Sequence, residues 1–108
     1  MPRESLKRLF PVPIDFDWDE GNAEKNWIRH RVSQGEAEAV FYYDPQLIRC
    51  DVGHSHHEQR YVCLGKTKQN RYLFVSFTLR QEKVRIISAR DMTDREHQEF
   101  TKYEKKNT

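Results

Sequence analysis

The stretch from residue 46 to residue 89 reads as a series of short strands, and this pattern constrains the fold more than any other feature of the chain. Four segments rich in β-branched and aromatic residues are predicted to be strands, at 46–51, 59–66, 71–79 and 83–89. Short polar connections at 68–70 and 80–82 separate the last three segments. Connections of this length favour hairpins, so these segments are expected to form an antiparallel meander.

A strand and a first helix are predicted before the meander. Residues 14–18 alternate apolar with acidic side chains, which is the period of a half-buried strand. Asp19 can then cap a helix that runs to about His30. The apolar side chains of this helix, which are expected to face inward, are Ala23, Trp27 and Ile28.

Two capping boxes mark the starts of two further helices, Ser33 with Glu36 and Thr93 with Glu96. The first of these helices is predicted to end before Pro45, and the second to run to about Lys105. The order of elements is strand, helix, helix, four strands, helix, which indicates an α+β domain. We assign the domain to residues 14–108 and treat residues 1–13 as an N-terminal extension whose order the sequence does not define.

The composition fits one small globular domain. The chain has 108 residues, of which 36% are hydrophobic and 33% charged, so it can build one core while much of each element faces water. Its apolar runs are far shorter than the roughly 20 residues that span a bilayer, and no signal peptide is recognisable. Cys50 and Cys63 form no CxxC pair, so reduced thiols are expected. These features predict a cytoplasmic protein without a membrane partner.

The charges are unevenly distributed along the chain. Residues 58–90 carry eight basic and two acidic residues, a balance of +6, whereas the rest of the chain has a balance of −4. This asymmetry suggests a cationic surface for a polyanion on an acidic frame. The alternative is an ordinary solvated sheet face.

The first candidate for chemistry is the segment 53–58, Gly-His-Ser-His-His-Glu, which is dense in imidazole and carboxylate groups. This density raises the hypothesis of a metal site. The segment matches no zinc spacing such as HExxH, however. Imidazole can also act as a general acid or base near neutral pH, and that role needs no metal.

The second candidate is the set of basic residues on the predicted strands. Guanidinium groups stay charged and present a rigid fork of donors that suits phosphate. Arg60, Lys66, Arg85 and Arg90 are the residues that could form such a set. In a regular strand Arg85 and Arg90 point to opposite faces unless a bulge intervenes. The alternative is that these side chains pair with surface carboxylates.

A set of spaced motifs runs through nearly the whole domain. Its first half consists of Phe16-Asp17-Trp18-Asp19, Asn26, Arg29-His30, Val32-Ser33, Glu38-Ala39-Val40-Phe41 and Asp44-Pro45. Its second half consists of Asp51, His54-Ser55, Glu58, Arg60, Gly65, Arg85-Ile86-Ile87-Ser88-Ala89-Arg90 and Glu96. Together these motifs resemble the BrnT family of RelE-like toxin ribonucleases. Arg31 is a departure from that family, which usually has Gly at this position. A residue with a Cβ resists the left-handed conformation, so Arg31 disfavours the turn expected between the first two helices.

The resemblance implies a RelE-like fold, in which two N-terminal helices pack on one face of an antiparallel sheet and a C-terminal helix follows. It implies the toxin of a type II toxin–antitoxin system, an endoribonuclease that cuts RNA without a metal or other cofactor and inhibits translation. The partners it implies are the RNA substrate and a BrnA-like ribbon-helix-helix antitoxin. Operator DNA would be bound only indirectly, through that antitoxin.

The resemblance also implies roles for particular side chains. The expected catalytic residues are His54, Glu58, Arg60, Arg85 and Arg90, with the arginines on the phosphate and the other two in proton transfer. The expected RNA-binding residues are Lys66, Arg80 and His30, and no metal ligand is expected. Two alternatives stay open: a non-catalytic RNA- or antitoxin-binding protein of the same fold, and a metal-dependent hydrolase built on the segment 53–58.

Overall fold

A computed structural model describes residues 14–54 and 58–107, and for Glu20 and His54 it describes the backbone alone. The extension assigned to residues 1–13 lies outside the described residues. The helices are α1 (Glu20–His30), α2 (Gln34–Ala39) and α3 (Asp94–Lys106). The strands are β1 (Leu47–Cys50), β2 (Arg60–Lys66), β3 (Tyr72–Arg80) and β4 (Lys83–Asp91), with a short 3₁₀ turn, Val52–His54, between β1 and β2.

The four strands form one antiparallel sheet in the order β1-β2-β3-β4. The predicted meander and the α+β class are therefore confirmed. The strand predicted at 14–18 is reduced to one parallel bridge between Phe16 and Val84. The Asp17 N–H donates to the Val84 carbonyl at 2.8 Å, and the Val84 N–H donates to the Asp15 carbonyl at 2.8 Å. The apolar residues of this segment face the core, as their period of two predicts.

One face of the sheet packs against α2 and holds the main core. The ring of Phe41 meets that of Phe77 edge to face, with centroids 5.1 Å apart. Gly65 permits the close approach of the two layers, since a Cβ there would lie 3.1 Å from Val40 Cβ and 3.2 Å from the Val40 carbonyl oxygen. The buried residues of this core are Ile14, Val32, Ala37, Val40, Phe41, Cys63, Leu73, Val75, Phe77, Val84, Ile86 and Ala89.

The helix α1 lies along the free edge of β4, and its inner side is polar. Asn22 Nδ2 donates to the Ile86 carbonyl at 3.0 Å, and the Ala89 N–H donates to Asn26 Oδ1 at 3.1 Å. These side-chain amides satisfy backbone groups that an edge strand leaves unpaired. α1 therefore covers the edge with hydrogen bonds rather than with apolar surface.

The apolar side chains of α1 point away from the sheet. Trp27 is 49% exposed and Ile28 is 61% exposed. The prediction that these two residues face inward is wrong. The reason is that the edge of β4 requires hydrogen-bonding side chains on the inner side of the helix.

The end of α1 is fixed by Arg71, the residue before β3. Its guanidinium donates to the carbonyls of His30 at 3.1 Å and Arg31 at 2.7 Å. It also donates to Glu36 in α2 at 3.1 Å and to Asp91 at the end of β4 at 2.8 Å. Arg31 adopts the left-handed conformation, with φ 54° and ψ 37°, so the turn between the two helices forms without glycine. One side chain therefore joins both N-terminal helices to the last strand.

The two cysteines are free, with Cys50 exposed and Cys63 buried. Burial raises the pKa of the Cys63 thiol, which keeps it protonated at neutral pH. Over the described ranges, no helix combines the length and the apolar character needed to cross a bilayer.

Replacing Arg71 with lysine is expected to lower the free energy of unfolding by about 2 kcal/mol, because an ammonium group cannot reproduce a fork of donors that reaches four residues. Urea unfolding measures this loss. Lys68→Gln, in the exposed turn before β3, is the control and is expected to change stability by less than about 0.5 kcal/mol. Equal stability of the two variants would contradict the role of Arg71.

Arg71→Lys is also expected to lose less stability than the wild type as the pH falls. The hydrogen bond from Arg71 holds the pKa of Asp91 below its ordinary value of 3.8. The stabilisation from this pair is therefore complete above that unfolded value and is lost as the pH falls through the lower folded value. Urea unfolding of Arg71→Lys across the acid range should show a shallower decline than wild type, and an identical decline would show that the pair does not contribute.

Candidate functional site

A bulge in β4 decides which side chains share a face of the sheet. The register between β3 and β4 shifts next to Ser76, and Ile87 is left as an extra residue on β4. An extra residue reverses the alternation of side chains that follow it. Arg85 and Arg90 therefore lie on the same face, the one that α3 packs against, although an unbroken strand would separate them.

Three side chains line up across the strands at one end of this face. Arg60 in β2 is the register partner of Thr78 in β3, and Thr78 is the register partner of Arg85 in β4. We call these three residues the arginine row. Neighbouring strands lie about 4.8 Å apart, so the α-carbons of the two arginines are on the order of 10 Å apart. Two guanidinium groups at this separation can approach one phosphate from both sides.

The arginine row lies beyond the part of the face that α3 covers. α3 is anchored by Phe100, which is fully buried against Val62 and Leu64 and packs with Phe74. Val62 and Leu64 lie two and four residues after Arg60 along β2, and Phe74 lies four residues before Thr78 along the antiparallel β3. Helix and row thus occupy different halves of the same face.

Arg85 is held in place by two aspartates that precede α1. Its Nη2 atom donates to Asp19 Oδ2 at 2.6 Å, and its Nη1 atom lies 3.7 Å from Asp17 Oδ2. The hydrogen bond to Asp19 raises the pKa of Arg85, while the Asn22 N–H and then Arg85 lower the pKa of Asp19. A guanidinium has five N–H donors, and the bond to Asp19 occupies one of them. Arg85 is therefore fixed in direction while donors remain for a ligand.

Glu58 and Arg80 extend the same face one step past the row. Glu58 precedes Arg60 by two residues and Arg80 follows Thr78 by two, so all four share a side of the sheet. Arg80 Nη2 lies 3.5 Å from Glu58 Oε2. The pKa of Arg85, raised chiefly by Asp19, is raised further by the charge of Glu58. A carboxylate thus stands beside the row, where a proton acceptor is useful.

The proton-transfer role predicted for His54 falls at the border of the described residues. Its backbone ends the 3₁₀ turn before β2, whereas its side chain and residues 55–57 lie outside the description. Among the described residues no group of three or more His, Cys, Asp and Glu could hold a metal ion. The metal hypothesis for the segment 53–58 is not tested by this observation, because most of its histidines are not described.

Arg90 and Lys66 lie on the same face beneath α3. Arg90 donates to both carboxylate oxygens of Glu96, at 2.8 and 3.0 Å, and its guanidinium lies 3.9 Å from the ring centre of Phe74. Burial would raise the pKa of Glu96, yet the hydrogen bonds from Arg90 and the capping Thr93 outweigh it and lower that pKa. Lys66 forms an ion pair with Glu104, which also lies on α3. The structure therefore brings these two cations together with α3 and not with the arginine row.

His30 lies at the opposite end of the sheet from the arginine row. Its carbonyl accepts from Arg71, which comes just before β3, whereas Thr78 lies near the end of that strand. The structure therefore does not bring His30 together with Arg60 and Arg85, whereas it places His30 near Asp91, the residue after Arg90.

Much of the cationic run at 58–90 is paired with carboxylates. The paired residues are Lys66, Arg71, Arg80, Arg85 and Arg90. The alternative interpretation of these side chains thus accounts for a large part of the local charge. The partners of Arg85, Asp17 and Asp19, were missed in the sequence, although the alternation at 14–18 places Asp17 on the side away from the core and so gave a signal for that residue.

A small α+β domain with two arginines and a carboxylate at the end of the sheet that α3 does not cover is suited to bind a phosphate-bearing ligand. The model of a protein family described as the ribonuclease toxin BrnT of type II toxin–antitoxin systems matches residues 18–96. The match spans well over half of the chain, and the chain belongs to this family. None of the curated proteins matches it. Membership implies RNA as the substrate class and an antitoxin protein as a partner.

The two arginines of β4 are expected to differ in their effect on stability. Arg90→Lys should lower the free energy of unfolding by about 1–2 kcal/mol, because it removes a bidentate bond to Glu96 and the stacking on Phe74. Arg85→Lys should cost less than about 1 kcal/mol, because its one hydrogen bond is to Asp19, whose side chain is half exposed. Urea unfolding of both variants checks the order. A larger loss of unfolding free energy for Arg85→Lys than for Arg90→Lys would contradict this expectation.

Proposed function

We propose that this chain is a metal-independent endoribonuclease whose site is the arginine row together with Glu58 and His54. Family membership supports ribonuclease activity. The observation that carries the location is the register Arg60, Thr78, Arg85 on the half of the face that α3 does not cover.

The proposed reaction uses the 2′-hydroxyl of the RNA as the nucleophile. Its proton passes to Glu58 or His54 while its oxygen attacks the adjacent phosphorus. The bond from phosphorus to the 5′ oxygen of the next nucleotide breaks, and that oxygen receives a proton from the other group. The products are a 2′,3′-cyclic phosphate and a 5′-hydroxyl. Arg60 and Arg85 stabilise the charge that builds on the non-bridging oxygens, which is the task a metal performs in other nucleases.

The other predicted side chains have different places in this proposal. Arg80 extends the phosphate-binding surface beside Glu58. Arg90 and Lys66 are engaged by α3, and His30 lies at the far end of the sheet. The catalytic role predicted for Arg90 and the RNA-binding roles predicted for Lys66 and His30 stay outside this proposal, and variants of these residues test them.

The cellular role that we propose follows from the family. The chain would act in the cytoplasm as a RelE-like toxin that cuts RNA and inhibits translation. A BrnA-like ribbon-helix-helix antitoxin would neutralise it and carry the operator DNA contact. The four-stranded antiparallel sheet with two helices before it and one after it supports the RelE-like assignment.

A non-catalytic binding protein of the same fold is the second candidate. The observation that favours it is the pairing of Arg80 and Arg85 with carboxylates, which leaves fewer donors for a transition state. The two candidates differ in whether purified protein cuts RNA.

Arg60→Lys and Arg85→Lys are each expected to lower the rate of RNA cleavage by about a hundredfold or more, because lysine keeps the charge but loses the fork. Lys68→Gln, in the exposed turn at the other end of β3, is the control and should change the rate little. Cleavage should persist in EDTA, and an RNA with a 2′-deoxy nucleotide at the cleavage site should stay intact. Wild-type rates in both arginine variants would remove the row from the site, and loss of cleavage in EDTA would favour a metal-dependent hydrolase.

Expression of this chain alone in a bacterium is expected to arrest growth, and co-expression of the adjacent reading frame should restore it. The reason is that a type II antitoxin neutralises its toxin by direct binding. Colony counts and incorporation of labelled amino acids measure the effect. Harmless accumulation of folded protein that also fails to cut RNA would support the non-catalytic candidate.

A further inference from the structure

The outward side of α1 carries a stripe that is apolar in the centre and charged at both ends. Trp27 and Ile28 form its centre and are 49% and 61% exposed. Glu24 and Arg31, both exposed, flank them. We call these four residues the α1 stripe. Because the inner side of α1 is committed to the edge of β4 through Asn22 and Asn26, the stripe faces away from the rest of the described protein.

We propose that the α1 stripe is a contact between two copies of this chain, with the two α1 helices antiparallel across a two-fold axis. Glu24 lies three residues before Trp27, and Arg31 lies three residues after Ile28. The two charges are thus equally far from the centre and opposite in sign. In an antiparallel pair, Glu24 of each copy meets Arg31 of the other while the apolar centres meet each other. A two-fold contact requires such a self-complementary surface.

The conformation of Arg31 is a second observation that points to the same place. Its φ of 54° lies in the left-handed region, where glycine would be unstrained. The chain nevertheless places an arginine there, and its guanidinium lies over the Trp27 ring, 5.4 Å from the centroid. Stacking uses the flat face of a guanidinium and leaves its N–H edge free to bind a carboxylate. Arg31 is thereby oriented towards a partner while it adds to the surface of Trp27.

The composition of the stripe favours a protein over RNA as its occupant. Tryptophan and arginine are the side chains most enriched where protein interfaces gain their energy. Glu24 at one end would repel a phosphate backbone, whereas a second copy supplies the matching cation. The arginine row lies on another side of the domain, so this contact leaves the proposed RNA site accessible and does not depend on RNA cleavage.

The contact is small, and this sets its strength. α1 has 11 residues and is roughly 16 Å long, so one helix pair buries less than the standard 800 Å² or so per partner. We therefore expect a weak dimer that forms at concentrations on the order of 10–100 µM. A partner that holds two copies together would raise the local concentration and strengthen the contact.

The test exchanges the charges at the two ends of the α1 stripe. Self-association of the full chain is measured by analytical ultracentrifugation from about 5 µM to about 500 µM. The mass of the wild type should rise from 13.1 kDa towards twice that value. Glu24→Arg and Arg31→Glu should each weaken association at least about tenfold, because each places like charges at both ends of the contact. The double variant Glu24→Arg/Arg31→Glu should recover the wild-type behaviour. Lys68→Glu, on the exposed turn before β3, is the control for a change of charge alone and should associate like wild type.

The variant Arg31→Gly distinguishes an effect on self-association from an effect on folding. Glycine relieves the left-handed backbone, so the melting temperature should rise or stay unchanged, while self-association should weaken. Wild type that stays monomeric over the whole concentration range would overturn the proposal. A double variant that associates no better than the single variants would also overturn it, since recovery depends on the two charges meeting across the two-fold axis.

Discussion

The guanidinium of Arg71 is the contact on which the arrangement of the other elements depends. It binds the last carbonyls of α1, Glu36 of α2 and Asp91 at the end of β4. α1 is thus fixed at its C-terminal end, and its 11 residues span roughly 16 Å along the edge of β4. That length brings Asp19, the cap of α1, to Arg85. A structural arginine at one end of the helix thereby positions a candidate functional arginine at the other.

Ion pairs divide the cationic face of the sheet into two halves with different roles. Under α3, glutamates of the helix neutralise the cations of the strands, as Glu96 does for Arg90 and Glu104 for Lys66. Beyond α3, Arg85 and Arg80 pair with carboxylates on loops and extended segments, where side chains retain partial exposure. The first half holds the helix on the sheet. The second half holds the charged groups that we propose to contact RNA.

The features that the sequence predicted are those with local causes. The strands follow from alternation, and the helix starts follow from the capping boxes at Ser33 and Thr93, which the structure shows. The outward direction of the Trp27 side chain depends on which strand edge meets α1. The bulge at Ile87 depends on the register between β3 and β4. No local pattern contains that information. The sequence therefore supplied the members of the candidate site, while the bulge decides that Arg85 and Arg90 share a face and α3 decides which of them pairs with a helix residue.

In the proposed function, RNA binds the arginine row and not the half of the face under α3. The most direct test is an NMR titration of the ¹⁵N-labelled protein with an RNA oligonucleotide in which every 2′-hydroxyl is methylated, so that it binds without being cut. We expect the largest shifts at the amides of Arg60, Thr78 and Arg85, with little change at Phe74 and Arg90. Shifts concentrated at Phe74, Arg90 and α3, with the row unaffected, would contradict it.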